Sequence, residues 1–213
     1  MCSSDLMALL ETGAKASAFL GFTTLDQCDR ATVRRWDAAL HVCGWNPHKG
    51  TSAVLAAWST HPGWAQLHLV SQIPADTPAP HHVRRYTTRL RDNELRRLQN
   101  ACAVHVCPSE VEGFGHTLVE ALSCGAIVVT TAAPPMDEIV TDEEGFLVPY
   151  QSKTPMNHGT RYFVDPVALA EALERVWSLD AQALTTRSVA ARAKYEQLDE
   201  SFHRRFTTAL NDL

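Results

Sequence analysis

The chain has 213 residues, 45% of them apolar and 20% charged, which is enough for one sizeable buried core. Lysine and arginine number 19 against 24 acidic residues, a net charge of −5, whereas a nucleic-acid binder usually carries a basic excess. No segment offers the run of about 18 apolar residues that a transmembrane helix needs. The start, Met1-Cys-Ser-Ser-Asp-Leu6, lacks the basic region and apolar stretch of a secretory signal. Cys2, Cys28, Cys43, Cys102, Cys107 and Cys124 form no C-x-x-C pair. They sit mostly among apolar neighbours, which suits reduced, buried thiols in a cytoplasmic protein.

In chain order, Met7–Ser17 reads as a helix and Ala18–Phe22 as a strand. Further strands are expected at Ala39–Cys43, Gln66–Ser71, Val83–Thr87, Ala103–Cys107, Ala126–Thr130 and Gly145–Pro149. Most are continuously apolar rather than alternating, as strands buried on both faces of a parallel sheet are. Between them, Thr51–Thr60 places Val54, Ala57 and Trp58 on one helical face. Asp92–Gln99 opens on a capping-type aspartate, and His116–Cys124 stops at Gly125. Asp165-Pro166 is an N-cap followed by proline at the first helical position, with Leu169, Leu173, Val176 and Trp177 behind it as a buried stripe. Ala181–Leu198 and Ser201–Leu210 read as two closing helices. Gln72–His82, with Pro74, Pro78 and Pro80, and the polar stretch Tyr150–Tyr162 read as loops. The alternation predicts an α/β domain, Rossmann-like, with a three-layer, mainly parallel sheet.

One segment carries chemistry: Cys107-Pro-Ser-Glu-Val-Glu-Gly-Phe-Gly-His-Thr-Leu-Val-Glu-Ala-Leu-Ser-Cys-Gly125. A buried strand ends at Cys107, a loop holding Gly113 and Gly115 follows, and a helix opens near His116. Strand, glycine loop and helix N-terminus together make an anion site, because free N–H groups of the first helical turn point at the ligand. Glu112 and Glu120 bracket that site, where carboxylates suit sugar hydroxyls rather than phosphate. No G-K-[ST] follows, so this is not a Walker A loop, and His-Thr-Leu after Gly115 excludes G-x-G-x-x-G.

Pro108-Ser109, Glu112-Gly-Phe-Gly115, Glu120-Ala121, Gly125 and Val128-Val129 resemble the E-x7-E signature of family-4-type (group 1) retaining glycosyltransferases. Glu138-Ile-Val140 with Gly145-Phe-Leu-Val148, Val42-Cys-Gly44 with Lys49-Gly50, and Asp165–Val176 resemble further motifs of the same family. The resemblance implies the C-terminal, donor-binding half of a two-domain GT-B fold. It implies residues 1–38 as a remnant of an N-terminal domain or linker, 39–178 as the nucleotide-sugar-binding domain and 179–213 as closing helices. A missing N-terminal domain would hold the acceptor.

By the same resemblance, Glu112 contacts hydroxyls of the donor sugar, while Gly113, Phe114 and Gly115 line the sugar and diphosphate. His116 and Thr117 hold the distal phosphate through their N–H groups, and Glu120 binds the ribose. Lys49, with Gly44 at the head of its loop, stabilises the leaving diphosphate electrostatically, as a metal does in other glycosyltransferases. The expected activity is transfer of a sugar from a nucleotide-sugar to an acceptor with retention of configuration. The donor is a substrate, so no cofactor is expected. Neither a D-x-D motif nor His/Cys ligand spacing is present, so no metal site is expected either. Where the family carries an arginine after the glycine, this chain has Trp45. Two alternatives remain open: a nucleotide-sugar-binding domain without transfer activity, and a GT-B epimerase. The arginines from Arg84 to Arg97 read as a solvated face, with Arg89 within reach of the nucleotide.

Overall fold

A computed structural model describes residues 19–74, 79–156 and 159–211. Six parallel strands form the central sheet: β1 (Arg35–Gly44), β2 (Gln66–Ser71), β3 (Val83–Tyr86), β4 (Cys102–Cys107), β5 (Ile127–Thr131) and β6 (Gly145–Val148). Their spatial order is β3-β2-β1-β4-β5-β6. Every residue of β4 and β5 is buried, which is why these strands read as largely apolar rather than alternating. Helices α1 (Thr51–Thr60), α2 (Asp92–Ala101) and α3 (His116–Ser123) connect strands, and the short α4 (Met136–Ile139) lies between β5 and β6. Helix α5 (Pro166–Trp177) packs on α1 and β6, with Leu169, Leu173 and Val176 fully buried. This is the expected Rossmann-like α/β architecture.

The cap of α5 forms as the sequence predicts, Asp165 Oδ1 accepting from Val167 N at 2.9 Å. At α2 the expectation fails by one residue. Arg91 is the N-cap and donates its backbone N–H to Glu94 Oε2 at 3.0 Å, so Asp92 is already helical.

Three larger expectations are corrected. The stretch read as a long loop is a hairpin of β7 (Tyr150–Met156) and β8 (Gly159–Val164), paired antiparallel. Almost all of β7 is exposed, so it has no buried face and no apolar alternation to read. The two closing helices are one, α6 (Ala181–Asn211), because no proline or glycine interrupts the polar run between them. Finally, residues 19–22 form no strand; Gly21 takes φ +80, which turns the chain out of an extended course. Ala18, the helix expected at Met7–Ser17 and Cys2 lie outside the described residues. The described part of the proline-rich connection between β2 and β3 is irregular, as expected.

Helix α6 lies along α3 and ties down the segment that precedes the sheet. Tyr195 donates its hydroxyl to Thr24 O at 2.9 Å, and Arg192 grips Asp26 with both terminal nitrogens at 2.6 and 2.7 Å. Cys43, Cys102, Cys107 and Cys124 are free and buried, while Cys28 is free and half-buried. Among the described residues, no helix is long and apolar enough to cross a membrane.

Candidate functional site

Strand order reverses between β1 and β4. In an open parallel sheet, that switch point leaves a crevice outside the carboxyl ends of the two strands. From β1 runs the loop Gly44–Gly50, and from β4 the loop Pro108–Gly115. The two loops therefore face each other, and every residue expected at the site apart from Glu120, one turn into α3, lies on them or in the first turn of α3.

Glycines set their approach. Gly50, the N-cap of α1, has φ +69, and a Cβ there would lie 2.1 Å from Pro108 O. Glu110 N also donates to His48 O at 2.8 Å, so the loops touch backbone to backbone. Gly115, the N-cap of α3, has φ +71, and its Cβ would meet Ile139 Cδ1 at 2.4 Å. Leu118 and Val119 donate to Gly115 O at 2.9 and 3.0 Å. The earlier N–H groups of His116 and Thr117 have no carbonyl within the helix to meet. Such free donors at a helix N-terminus are what the expected anion site requires.

Between the loops, Lys49 and Glu112 form an ion pair. Their side chains are 11% and 8% exposed. Ser109 donates its hydroxyl to the same Glu112 oxygen at 2.7 Å, and Thr117 Oγ1 lies 3.4 Å from the ammonium. Glu120 is not part of this network. It projects from α3 and accepts from Gln99 Nε2 at 2.8 Å. Burial pushes its carboxyl above the usual carboxylate range, against the Gln99 hydrogen bond and the nearby charges of His116 and Lys49. Beneath the crevice, burial holds the Cys107 thiol up at about 12, so it is protonated and inert.

The remaining expected residues are dispersed around the rim. Gly44 ends β1 with φ +59, and Gly113 and Phe114 are exposed. The Phe114 ring lies 5.2 Å from that of Phe22, which also packs edge-on against His116 at 4.5 Å. Trp45 stands 74% exposed in the turn closed by Asn46 N donating to Cys43 O at 3.0 Å. Arg89 is exposed and faces Asp92 at 4.0 Å.

Several supporting residues have no signal of their own in the sequence. Glu110 accepts Arg161 Nε at 3.1 Å, and its carbonyl takes Tyr162 N at 2.7 Å, so the hairpin β7–β8 is fastened to the glycine loop. His41, buried in β1, bridges Val106 O at 2.6 Å and Thr51 Oγ1 at 2.8 Å. Gln99 reaches Glu120 from a different helix. Ser109 sits inside the quoted signature but has no assigned role there.

Residues 75–179 match the model of the family "Glycosyl transferases group 1". That region spans just under half of the chain and includes Glu112 and Glu120, while Lys49 lies before it. No curated protein matches the sequence. Among solved structures, the fold is similar to sucrose-phosphate synthase from Thermosynechococcus elongatus, with a TM-score of 0.70 and 19% identity over 99% of this chain and 57% of that one. It is also similar to Anabaena Alr3699/HepE in complex with UDP, with a TM-score of 0.72 and 18% identity over 97% of this chain and 61% of that one. A third likeness is to the C-terminal domain of a group 1 glycosyltransferase family protein from Francisella tularensis, with a TM-score of 0.58 and 18% identity over 84% of this chain and 95% of that domain. The chain spans little more than half the length of the first two chains.

Proposed function

We propose that this chain is the donor-binding half of a retaining, metal-independent glycosyltransferase acting in the cytoplasm, with the acceptor held by a further domain. The observation that carries this reading is the convergence of Lys49, Glu112 and the first turn of α3 in one crevice at the switch point of the sheet. Support comes from the family match and from the UDP and UDP-glucose bound in the Anabaena structures.

In this reading the diphosphate of a nucleotide-sugar lies against the N–H groups of His116 and Thr117, at the positive end of the α3 dipole. Lys49 neutralises charge that develops on the leaving diphosphate. The bond from the anomeric carbon to the diphosphate oxygen breaks, and the acceptor hydroxyl bonds to that carbon from the same face. The hydroxyl proton leaves with the diphosphate. Glu112 accepts hydroxyls of the sugar, and Gly113, Phe114 and Gly115 line its path. Glu120, placed by Gln99, accepts the ribose hydroxyls. Gly44 lets the lysine loop leave β1 in a tight turn.

Calorimetric titration of the chain with UDP, GDP and ADP, each with and without EDTA, tests this. Binding of one of them that survives EDTA is expected. Failure of all three, or strict dependence on a divalent metal, would defeat the reading.

A further inference from the structure

The groups that the donor-site reading assigns to different parts of the ligand are paired with each other. Lys49 is to meet the diphosphate and Glu112 the sugar, yet the two form one ion pair that is about nine-tenths buried. A diphosphate in the crevice competes with Glu112 for that single ammonium. If Lys49 turns to the phosphate, the Glu112 oxygen keeps the Ser109 hydroxyl at 2.7 Å and loses its counter-ion. Removing the partner of a buried charge is strongly unfavourable unless other donors replace it. The hydroxyls of a sugar are such donors, and a bare nucleoside diphosphate brings none to that side of the site.

We propose that the Lys49–Glu112 pair makes the site prefer the sugar-bearing nucleotide over the bare nucleoside diphosphate, with Glu112 as the specificity-determining residue. The inference rests on the donor-site reading and adds a consequence for turnover. After transfer, the sugar hydroxyls leave with the product, Glu112 reclaims Lys49, and the spent nucleotide is released. Thr117 Oγ1, 3.4 Å from the ammonium, marks the side toward which Lys49 would swing, because it belongs to the phosphate-binding turn of α3.

The test compares dissociation constants of the 213-residue chain for three pairs: UDP with UDP-glucose, GDP with GDP-mannose, and ADP with ADP-glucose. The pair that binds is then measured with Glu112→Gln and Ser109→Ala. The wild type should bind the sugar-bearing member more tightly. Glu112→Gln removes the internal competitor and should tighten the bare nucleotide roughly tenfold while not tightening the sugar-bearing one, so the preference disappears. Ser109→Ala keeps the carboxylate but removes its remaining donor, and should weaken the bare nucleotide selectively. This second variant supplies an independent arm if Glu112→Gln folds poorly. If the wild type binds a pair and Glu112→Gln weakens the bare nucleotide or leaves it unchanged, the proposal is overturned while the donor-site reading stands. If the wild type binds none of the pairs, both fall together.

Discussion

Thr51 donates its hydroxyl to Nε2 of His41 at 2.8 Å, and this bond fixes the first turn of α1 against the middle of the sheet. The other ring nitrogen, Nδ1, meets Val106 O at 2.6 Å, and a carbonyl can only accept, so Nδ1 carries the proton. Burial keeps the ring neutral, with a pKa lowered to about 4. His41→Phe would leave the Thr51 hydroxyl without its acceptor, at a cost of about 1–3 kcal/mol. Urea denaturation should show that loss, with a smaller weakening of nucleotide binding.

The same histidine predicts a pH dependence. His41 and His105 both have pKa values lowered from 6.5 to about 4 by burial. Between those values the unfolded chain binds more protons than the folded one, so stability rises with pH there. Acidification from pH 6.5 toward 4 should therefore cost on the order of 1 kcal/mol per pH unit for each histidine. His41→Phe should flatten the part of the denaturation-midpoint profile that this residue contributes. A profile equally steep in the variant would contradict the assignment.

Glu120 gives a different signature. Its carboxyl is raised by burial, so it takes up its proton at a higher pH than an ordinary glutamate. If it holds the ribose, nucleotide affinity should begin to fall at a pH above the usual carboxylate range. Glu120→Gln should bind roughly tenfold more weakly at neutral pH, since a hydrogen bond to a charged group contributes about 1.5–3 kcal/mol. That variant should also lose the pH dependence in this window. Calorimetry across pH 4–7 measures both effects.

The two N-cap glycines should respond unequally. At Gly50 an added Cβ meets a backbone carbonyl, Pro108 O, at 2.1 Å, and neither loop can yield cheaply. Gly50→Ala should cost about 2 kcal/mol or more and displace Lys49, so nucleotide binding is lost with stability. At Gly115 the obstacle is the end of a side chain, Ile139 Cδ1, at 2.4 Å. Gly115→Ala should be partly rescued by Ile139→Val, as read from melting temperatures. Rescue would place the strain at that contact rather than in the backbone alone.

The framework of this site is legible in the sequence because each β-strand bordering it is largely apolar over its buried part and each loop is marked by glycine. Cys102–Cys107 and Ile127–Thr131 can be placed to within a residue for that reason. The hairpin of β7 and β8 is not legible, because β7 lies in solvent and β8 is half-buried along most of its length, so neither shows a burial period. Nor is the contact between Lys49 and Glu112, which are separated by 63 positions and meet only because β1 and β4 are neighbours. The resemblance expects different ligand groups at Glu112 and Glu120, and what the fold adds is their protein partners, Lys49 and Ser109 for one and Gln99 for the other. The early strand at Ala18–Phe22 fails on one residue, Gly21, whose positive φ turns the apolar run aside and brings Phe22 onto Phe114.

Amide NMR of the 15N-labelled chain, titrated with the nucleoside diphosphate that binds in calorimetry, tests directly whether the α3 N-terminus holds the diphosphate. The amide signals of His116 and Thr117 should shift most, together with the Lys49–Gly50 backbone, and Lys49→Met should abolish the response. Saturable shifts confined to residues away from the α3 N-terminus, with His116 and Thr117 unmoved, would contradict it.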